Sequence, residues 1–149
     1  MNLQEKVMAE MKAAMKAKDS TKLEALRAVK SAILLANTES SSKDGLSEDE
    51  EMKLLQKLVK QRKESAAIYR EQGRADLAEP EEKQSEVIES FLPEQMTEAE
   101  IEAKVDEVIA KTGASGMQDM GKVMGAVTAE LAGRADGKTI SSIVKRKLS

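Results

Sequence analysis

Apolar side chains recur every three or four residues along most of this chain, and its only prolines are Pro80 and Pro93. That period marks amphipathic helices, because residues three and four apart share a helix face. Composition agrees: 34% of the 149 residues are charged, Met occurs nine times, and Tyr69 and Phe91 are the only aromatic residues. A β-sandwich would need β-branched and aromatic strands. The expected fold class is therefore all-α, with small aliphatic and Met-filled cores.

Leu3, Val7, Met11 and Met15 stand four apart, and Asn2 with Glu5 resembles a capping arrangement, which predicts a first helix ending near Lys18. Asp19 or Ser20 caps a second, with Leu23, Leu26, Val29 or Lys30, Ile33 and Leu34 on its apolar face. Residues 39–45, rich in Ser and closed by Asp44 and Gly45, read as a mobile loop. Ser47 and Glu50 form a capping box for a long third helix through Met52, Leu55, Leu58, Val59, Ala66, Ile68 and Tyr69, closed by Gln72 and Gly73. A fourth helix starts at Asp76 or only at Glu79, since Pro80 fits a first turn, and runs through Val87, Ile88, Phe91 and Leu92 to Pro93. The domain boundary is placed there: residues 1–93 form an N-terminal domain of long helical hairpins and residues 94–149 a small C-terminal one.

In the second part Thr97 and Glu100 make another capping box before Ile101, Val105, Val108 and Ile109, with Gly113 as the stop. Ser115 with Gln118 opens a sixth helix whose face is Met117, Met120, Val123, Met124, Val127 and Leu131, ending at Gly133. Asp136 with Thr139 starts a seventh, carrying Ile140, Ile143, Val144 and Leu148. The expectation is a three-helix C-terminal bundle.

The chain has no Cys and no His, which removes thiol nucleophiles, imidazole bases and the usual zinc ligands. No phosphate loop, dinucleotide fingerprint or nucleophile elbow occurs. The acid runs over residues 48–51 and 79–82 sit at helix starts, where the dipole favours carboxylates, so they are read as neither metal nor acid/base sites. No catalytic residue, metal or cofactor is expected. The N-terminus lacks a signal-peptide run and no 18 apolar residues are consecutive, so a soluble cytoplasmic protein with no membrane partner is expected. Nothing in the residues sets the oligomeric state.

Charge is unevenly spread. From Lys111 onward seven basic residues face three acidic ones, whereas Leu46 to Leu92 carries eight basic and twelve acidic. Within this cationic tail lie two glycine-punctuated motifs, Met120-Gly121-Lys122-Val123-Met124-Gly125 and Gly133-Arg134-Ala135-Asp136-Gly137-Lys138. Gly121 and Gly125 share one helix face, which admits either a closely crossing helix or a ligand backbone. Gly133 and Gly137 are read as turn geometry, with Asp136 as a cap. Lys145, Arg146 and Lys147 suit the negative end of the last helix, and with Lys111, Lys122, Arg134 and Lys138 they form a dispersed cationic surface suited to nucleic-acid phosphates. The tail has no aromatic residue for stacking bases, so an RNA partner would be a folded shape held by its backbone.

Along nearly its full length the chain resembles the free-standing YqeY proteins of the GatB/YqeY family. The resemblance rests on Met11-Lys12-Ala13-Ala14-Met15-Lys16, Leu26-Arg27-Ala28-Val29-Lys30, Gln61-Arg62-Lys63-Glu64-Ser65, Gly73-Arg74-Ala75-Asp76-Leu77, Phe91-Leu92-Pro93-Glu94-Gln95 and the two terminal motifs. Phe91 stands where the family usually has Tyr. The resemblance implies a C-terminal domain similar to the tail of GatB, the tRNA-handling subunit of the amidotransferase that corrects mischarged tRNA. It also implies an amidotransferase-like label, that of a carbon-nitrogen ligase with glutamine as amido-N-donor, although GatB's catalytic cradle has no counterpart in these residues. The leading expectation is thus a non-catalytic module that binds tRNA or a similarly shaped RNA through Lys122, Arg134, Lys138, Lys145 and Arg146, on a frame shaped by Gly121, Gly125, Gly133, Asp136 and Gly137. Two alternatives stand beside it: a component associated with amidotransferase subunits or aminoacyl-tRNA, and a helical protein-interaction scaffold without RNA binding.

Overall fold

A computed structural model describes residues 2–39 and 45–149. Residues 40–44 of the loop expected to be mobile lie outside the described residues. All regular structure among the described residues is helical: α1 (Leu3–Ala17), α2 (Ser20–Glu39), α3 (Glu48–Glu71), α4 (Ala75–Glu89), α5 (Glu98–Thr112), a short 3₁₀ turn (Met117–Asp119), α6 (Met120–Glu130) and α7 (Gly137–Leu148). The fold is all-α, as the periodicity requires. Contacts divide it into two units, Met1–Leu92 and Pro93–Ser149.

In the first unit, Val7 and Ala14 of α1, Leu26, Val29 and Ile33 of α2, Leu55 and Val59 of α3 and Ile88 of α4 close one core. Asn2 starts α1 by accepting the Glu5 amide at 2.8 Å, and Lys18 ends it in a left-handed conformation (φ 56°) although no glycine stands there. The next helix begins two residues on, so α1 and α2 form a tight hairpin. Helices α3 and α4 form another, turned at Gly73 (φ 71°) and laced by Arg70 to Glu82 (2.7 and 3.0 Å), Lys63 to Glu89 (3.0 Å) and Arg62 to Gln84 (3.1 Å).

Helix α4 begins at Ala75, one residue ahead of the earlier of its two expected starts, so Pro80 lies in its second turn and leaves the Asp76 carbonyl without the usual amide donor. The first turn is held by the Arg74–Asp76 ion pair at 3.0 Å and by Ala78, which is fully buried. At the other end the α-helix stops at Glu89, short of Phe91. The amides of Phe91 and Leu92 donate to Ile88 and Glu89 at 3.1 and 3.0 Å, tightening the chain ahead of Pro93, which disfavours helical geometry at Leu92. Leu34 also departs from expectation: it lies on the outer edge of α2, 47% exposed.

The second unit packs α5, α6 and α7 around Ile101, Val105, Val108, Val123, Val127, Leu131, Ile140, Ile143, Val144 and Leu148. Thr97 and Glu100 complete the expected capping box, and Gly113 ends α5 with φ 67°. Ser115 and Gln118 do not open α6. The Asp119 carboxylate instead accepts the Ser115 amide at 3.1 Å, folding this stretch into the 3₁₀ turn, and α6 starts at Met120. It ends at Glu130, ahead of Gly133.

Candidate nucleic-acid interface

The turn between α6 and α7 is built on Gly133, whose φ of 76° suits glycine and whose carbonyl accepts the Gln95 side-chain amide at 2.7 Å. Arg134 follows, half-buried. Its Nε donates to the Glu94 carbonyl at 3.1 Å, while the Met96 amide donates to the Arg134 carbonyl at 2.9 Å. Asp136 stands at the N-cap of α7, but its carboxylate makes no capping bond to a backbone amide of the helix and accepts the Thr139 hydroxyl at 3.5 Å.

The space around three glycines narrows what their spacing left open. A Cβ placed on Gly121, Gly125 or Gly137 would meet nothing within 4 Å, so among the described residues no helix of the second unit crosses closely at Gly121 or Gly125. Gly137, the first residue of α7, does not have positive φ, so turn geometry does not require it. Gly121 and Gly125 instead leave the outward face of α6 bare, with the exposed Lys122 beside them.

Ile140, Ile143, Val144 and Leu148 turn one face of α7 into the core. The opposite face carries Lys138, Ser142 and Lys145, with the two lysines two helical turns apart, or about 10.5 Å along the axis. Lys138, Ser142 and Arg146 also form one wall of an open groove of about 320 Å³, which Glu98 and Asp136 line as well. Two cations and two carboxylates leave that groove balanced in charge. Glu98, Thr139 and Ser142 were not expected as site residues. Only the spacing of Ser142, four after Lys138 and four before Arg146, hinted at one of them.

The cationic run at the end of α7 is partly neutralised, because α5 brings acids to it that a count along the tail leaves out. Lys147 lies 2.9 Å from Glu102 and 3.3 Å from Asp106, and Arg146 lies 3.2 Å from Glu102. The Lys147 hydrogen bond and charge, with Arg146 adding to them, hold the Glu102 carboxyl below the usual carboxylate range, while hydrogen bonds to Glu102 and Asp106 raise the Lys147 ammonium. On the far side of α5, Lys111 pairs with Glu107 at 3.0 Å and Lys104 with Glu130 at 2.8 Å. Lys122, Lys138 and Lys145 make no ion pair among the described residues. Of the five expected contact residues, Lys138, Lys145 and Arg146 come together on α7. Arg134 is turned to Glu94, and Lys122 stands on a different helix.

Among known proteins, the sequence pattern described as YqeY-like protein matches residues 4–148. Over 73 residues, 46% of this chain and 12% of the relative, the chain is 40% identical to a glutamyl-tRNA(Gln) amidotransferase component from Thermococcus gammatolerans, one of that enzyme's subunits. It is 29% identical over 145 residues to altered inheritance of mitochondria protein 41, mitochondrial, of Pyrenophora tritici-repentis, covering 94% of this chain and 77% of that protein. With the protein of the same name from Lachancea thermotolerans it shares 35% identity over 104 residues, covering 68% of this chain and 55% of the relative. The kinship with the amidotransferase component is partial, since the match spans about an eighth of that protein's length. The family pattern, by contrast, runs from the first turn of α1 to the last of α7, and the chain belongs to the YqeY-like protein family.

Proposed function

We propose that the second unit is a non-catalytic accessory module that grips the backbone of tRNA or a similarly shaped RNA. The observation that carries this reading is the pair Lys138 and Lys145, which share the outward face of α7 without an acid partner while Arg146 and Lys147 beside them are paired. Unpartnered ammonium groups on one helix face bind phosphates and release counterions. Lys122 adds a third free cation on the bare face of α6, and Arg146 retains donors toward the groove. Arg134 acts mainly by holding the turn that starts α7. The partial similarity to an amidotransferase component named for glutamyl-tRNA(Gln) supports a tRNA among possible RNAs.

Titration with total tRNA across a salt series tests this. Three phosphate contacts predict a log–log salt slope of about −2 to −3, and Lys138→Ala with Lys145→Ala reduces its magnitude by about 1.4–1.8. Absence of saturable binding, or a slope untouched by the double substitution, overturns the reading.

The same partial similarity supports a second reading, in which the module works beside an amidotransferase and so contributes to carbon-nitrogen ligation with glutamine as amide donor. Co-purification of amidotransferase subunits or charged tRNA with the tagged protein is the expected result, and recovery of neither removes this reading. Among the described residues no helix is long and apolar enough to cross a membrane. The proposed location is the cytoplasm, although two relatives are named as mitochondrial. Fractionation that finds the protein confined to an organelle refutes that location.

A further inference from the structure

We infer that the α1–α2 hairpin of the first unit is a docking surface for an acidic amphipathic helix of a protein partner. This is independent of the RNA reading of the second unit. Two motifs that the proposed function leaves unused, residues 11–16 and 26–30, lie on this hairpin. Along its outer edge an open groove of about 640 Å³ is lined by Met8, Lys12 and Lys30, with Glu5 its only carboxylate.

The hairpin exposes apolar surface that its own core does not use. Met8 is 40% exposed, Met15 58% and Leu34 47%. Met15 follows Met8 by two turns on the same edge of α1, and Leu34 follows Lys30 by one turn on the facing edge of α2. Two turns separate apolar anchors by about 10.5 Å, the spacing with which a helix lying in a groove presents residues seven apart. Methionine suits such a surface because its unbranched, polarizable side chain adapts to the shape of a partner.

The charges indicate what kind of helix fits. Lys12, Arg27 and Lys30 make no ion pair among the described residues, and the hairpin's one internal pair, Lys22 with Glu10 at 2.9 Å, lies elsewhere on it. Lys12 and Lys16 stand four apart on the exposed side of α1, an arrangement of like charges that costs helix stability until an anion comes between them. Cations interleaved with Met8, Met15 and Leu34 match carboxylates flanking an apolar stripe. A nucleic-acid backbone would engage the cations but gain nothing from burying methionine, and no aromatic side chain on the hairpin is available to stack a base.

The test is fluorescence anisotropy of the full chain with a labelled probe peptide of about five helical turns (~18 residues), carrying leucines at heptad spacing and glutamates elsewhere. The expected result is saturable binding, weakened roughly tenfold by Lys12→Glu with Lys30→Glu and by Met8→Ser with Leu34→Ser, with a scrambled peptide of the same composition also binding roughly tenfold more weakly. The neutral pair Lys12→Gln and Lys30→Gln gives a smaller loss and keeps the test valid if charge reversal disturbs the hairpin. No saturable binding, or equal binding of the scrambled peptide, overturns the inference. So does loss of tRNA binding on the same substitutions, which makes the occupant RNA. Concentration-dependent self-association abolished by them makes it a second copy of this chain and overturns the inference as well.

Discussion

The Arg134 guanidinium reaches forty residues back along the chain to donate to the Glu94 carbonyl at 3.1 Å. With the Met96 amide on the Arg134 carbonyl (2.9 Å) and the Gln95 side chain on the Gly133 carbonyl (2.7 Å), it ties the stretch of chain before α5 to the turn before α7. Arg134 is therefore a clasp first, and the phosphate contact proposed for it comes second. That ordering separates it from Lys138, which no partner among the described residues holds.

Removing the clasp has a measurable cost. Arg134→Ala should lower the stability of the second unit by about 1 kcal/mol, the usual scale for one such hydrogen bond. Arg134→Lys keeps the charge but loses the planar fork that reaches a carbonyl sideways. It should therefore melt close to the Ala variant while keeping more of the tRNA affinity. Urea midpoints and tRNA titrations on the two variants decide the matter, and a midpoint unchanged by Arg134→Ala would show that the clasp is energetically idle.

Glycine substitutions should divide by sign. A methyl group on Gly121 or Gly125 meets nothing within 4 Å, so Ala at either position should stabilise α6 by about 0.5–1 kcal/mol. Gly133→Ala should go the other way by roughly 1–2 kcal/mol, because φ of 76° places the new Cβ against the backbone. Thermal melts of the three single variants measure this, and a destabilising Gly125→Ala would mean that something does cross α6 closely.

Where local chemistry decides, the fold could be read in advance. Thr97 and Glu100 announce the start of α5, Ser47 the start of α3, and the four-residue spacing of Val123 and Val127 the buried face of α6. Lys18 in a left-handed conformation could not be read, because the usual signal for that turn is glycine. The bare α6 face was hidden as well, since glycines four apart look the same whether or not a helix crosses them. The candidate interface was legible by residue type but not by pairing. That Lys147 meets Glu102 and Asp106 depends on which helices are neighbours, and the neighbour of α7 starts some forty residues earlier in the chain.

The acid limb of stability follows from these pairings. Hydrogen bonds and charge from Lys147 and Arg146 depress the Glu102 carboxyl, and the Lys111 and Lys104 ammonium groups depress Glu107. A carboxyl with a lowered folded-state pKa contributes stability that is fully present above its unfolded value. That contribution is lost as pH falls through the folded value. Lys147, raised by Glu102 and Asp106, contributes below its ordinary value and loses that contribution only as strongly alkaline pH is reached. Melts between neutral pH and pH 3 should therefore show a declining midpoint for the second unit, shallower in Glu102→Gln. Parallel pH profiles for the wild-type and variant proteins would refute a contribution from this pair.

The two hydrophobic cores share no residue: one is drawn from α1 to α4 and the segment to Leu92, the other from α5 to α7. Leu26 and Ile140 are each fully or almost fully buried, one in each core. Truncating either to Ala removes several methyl and methylene groups and leaves a cavity, at about 2–5 kcal/mol. If residues up to 93 and from 94 onward are separate folding domains, each loss stays in its own unit. Native-state hydrogen exchange reads this helix by helix. Leu26→Ala should speed exchange in α1–α4 and leave the slowest amides of α5 and α7 protected, and Ile140→Ala should do the reverse. Faster exchange throughout both units from either substitution would make the chain a single cooperative domain.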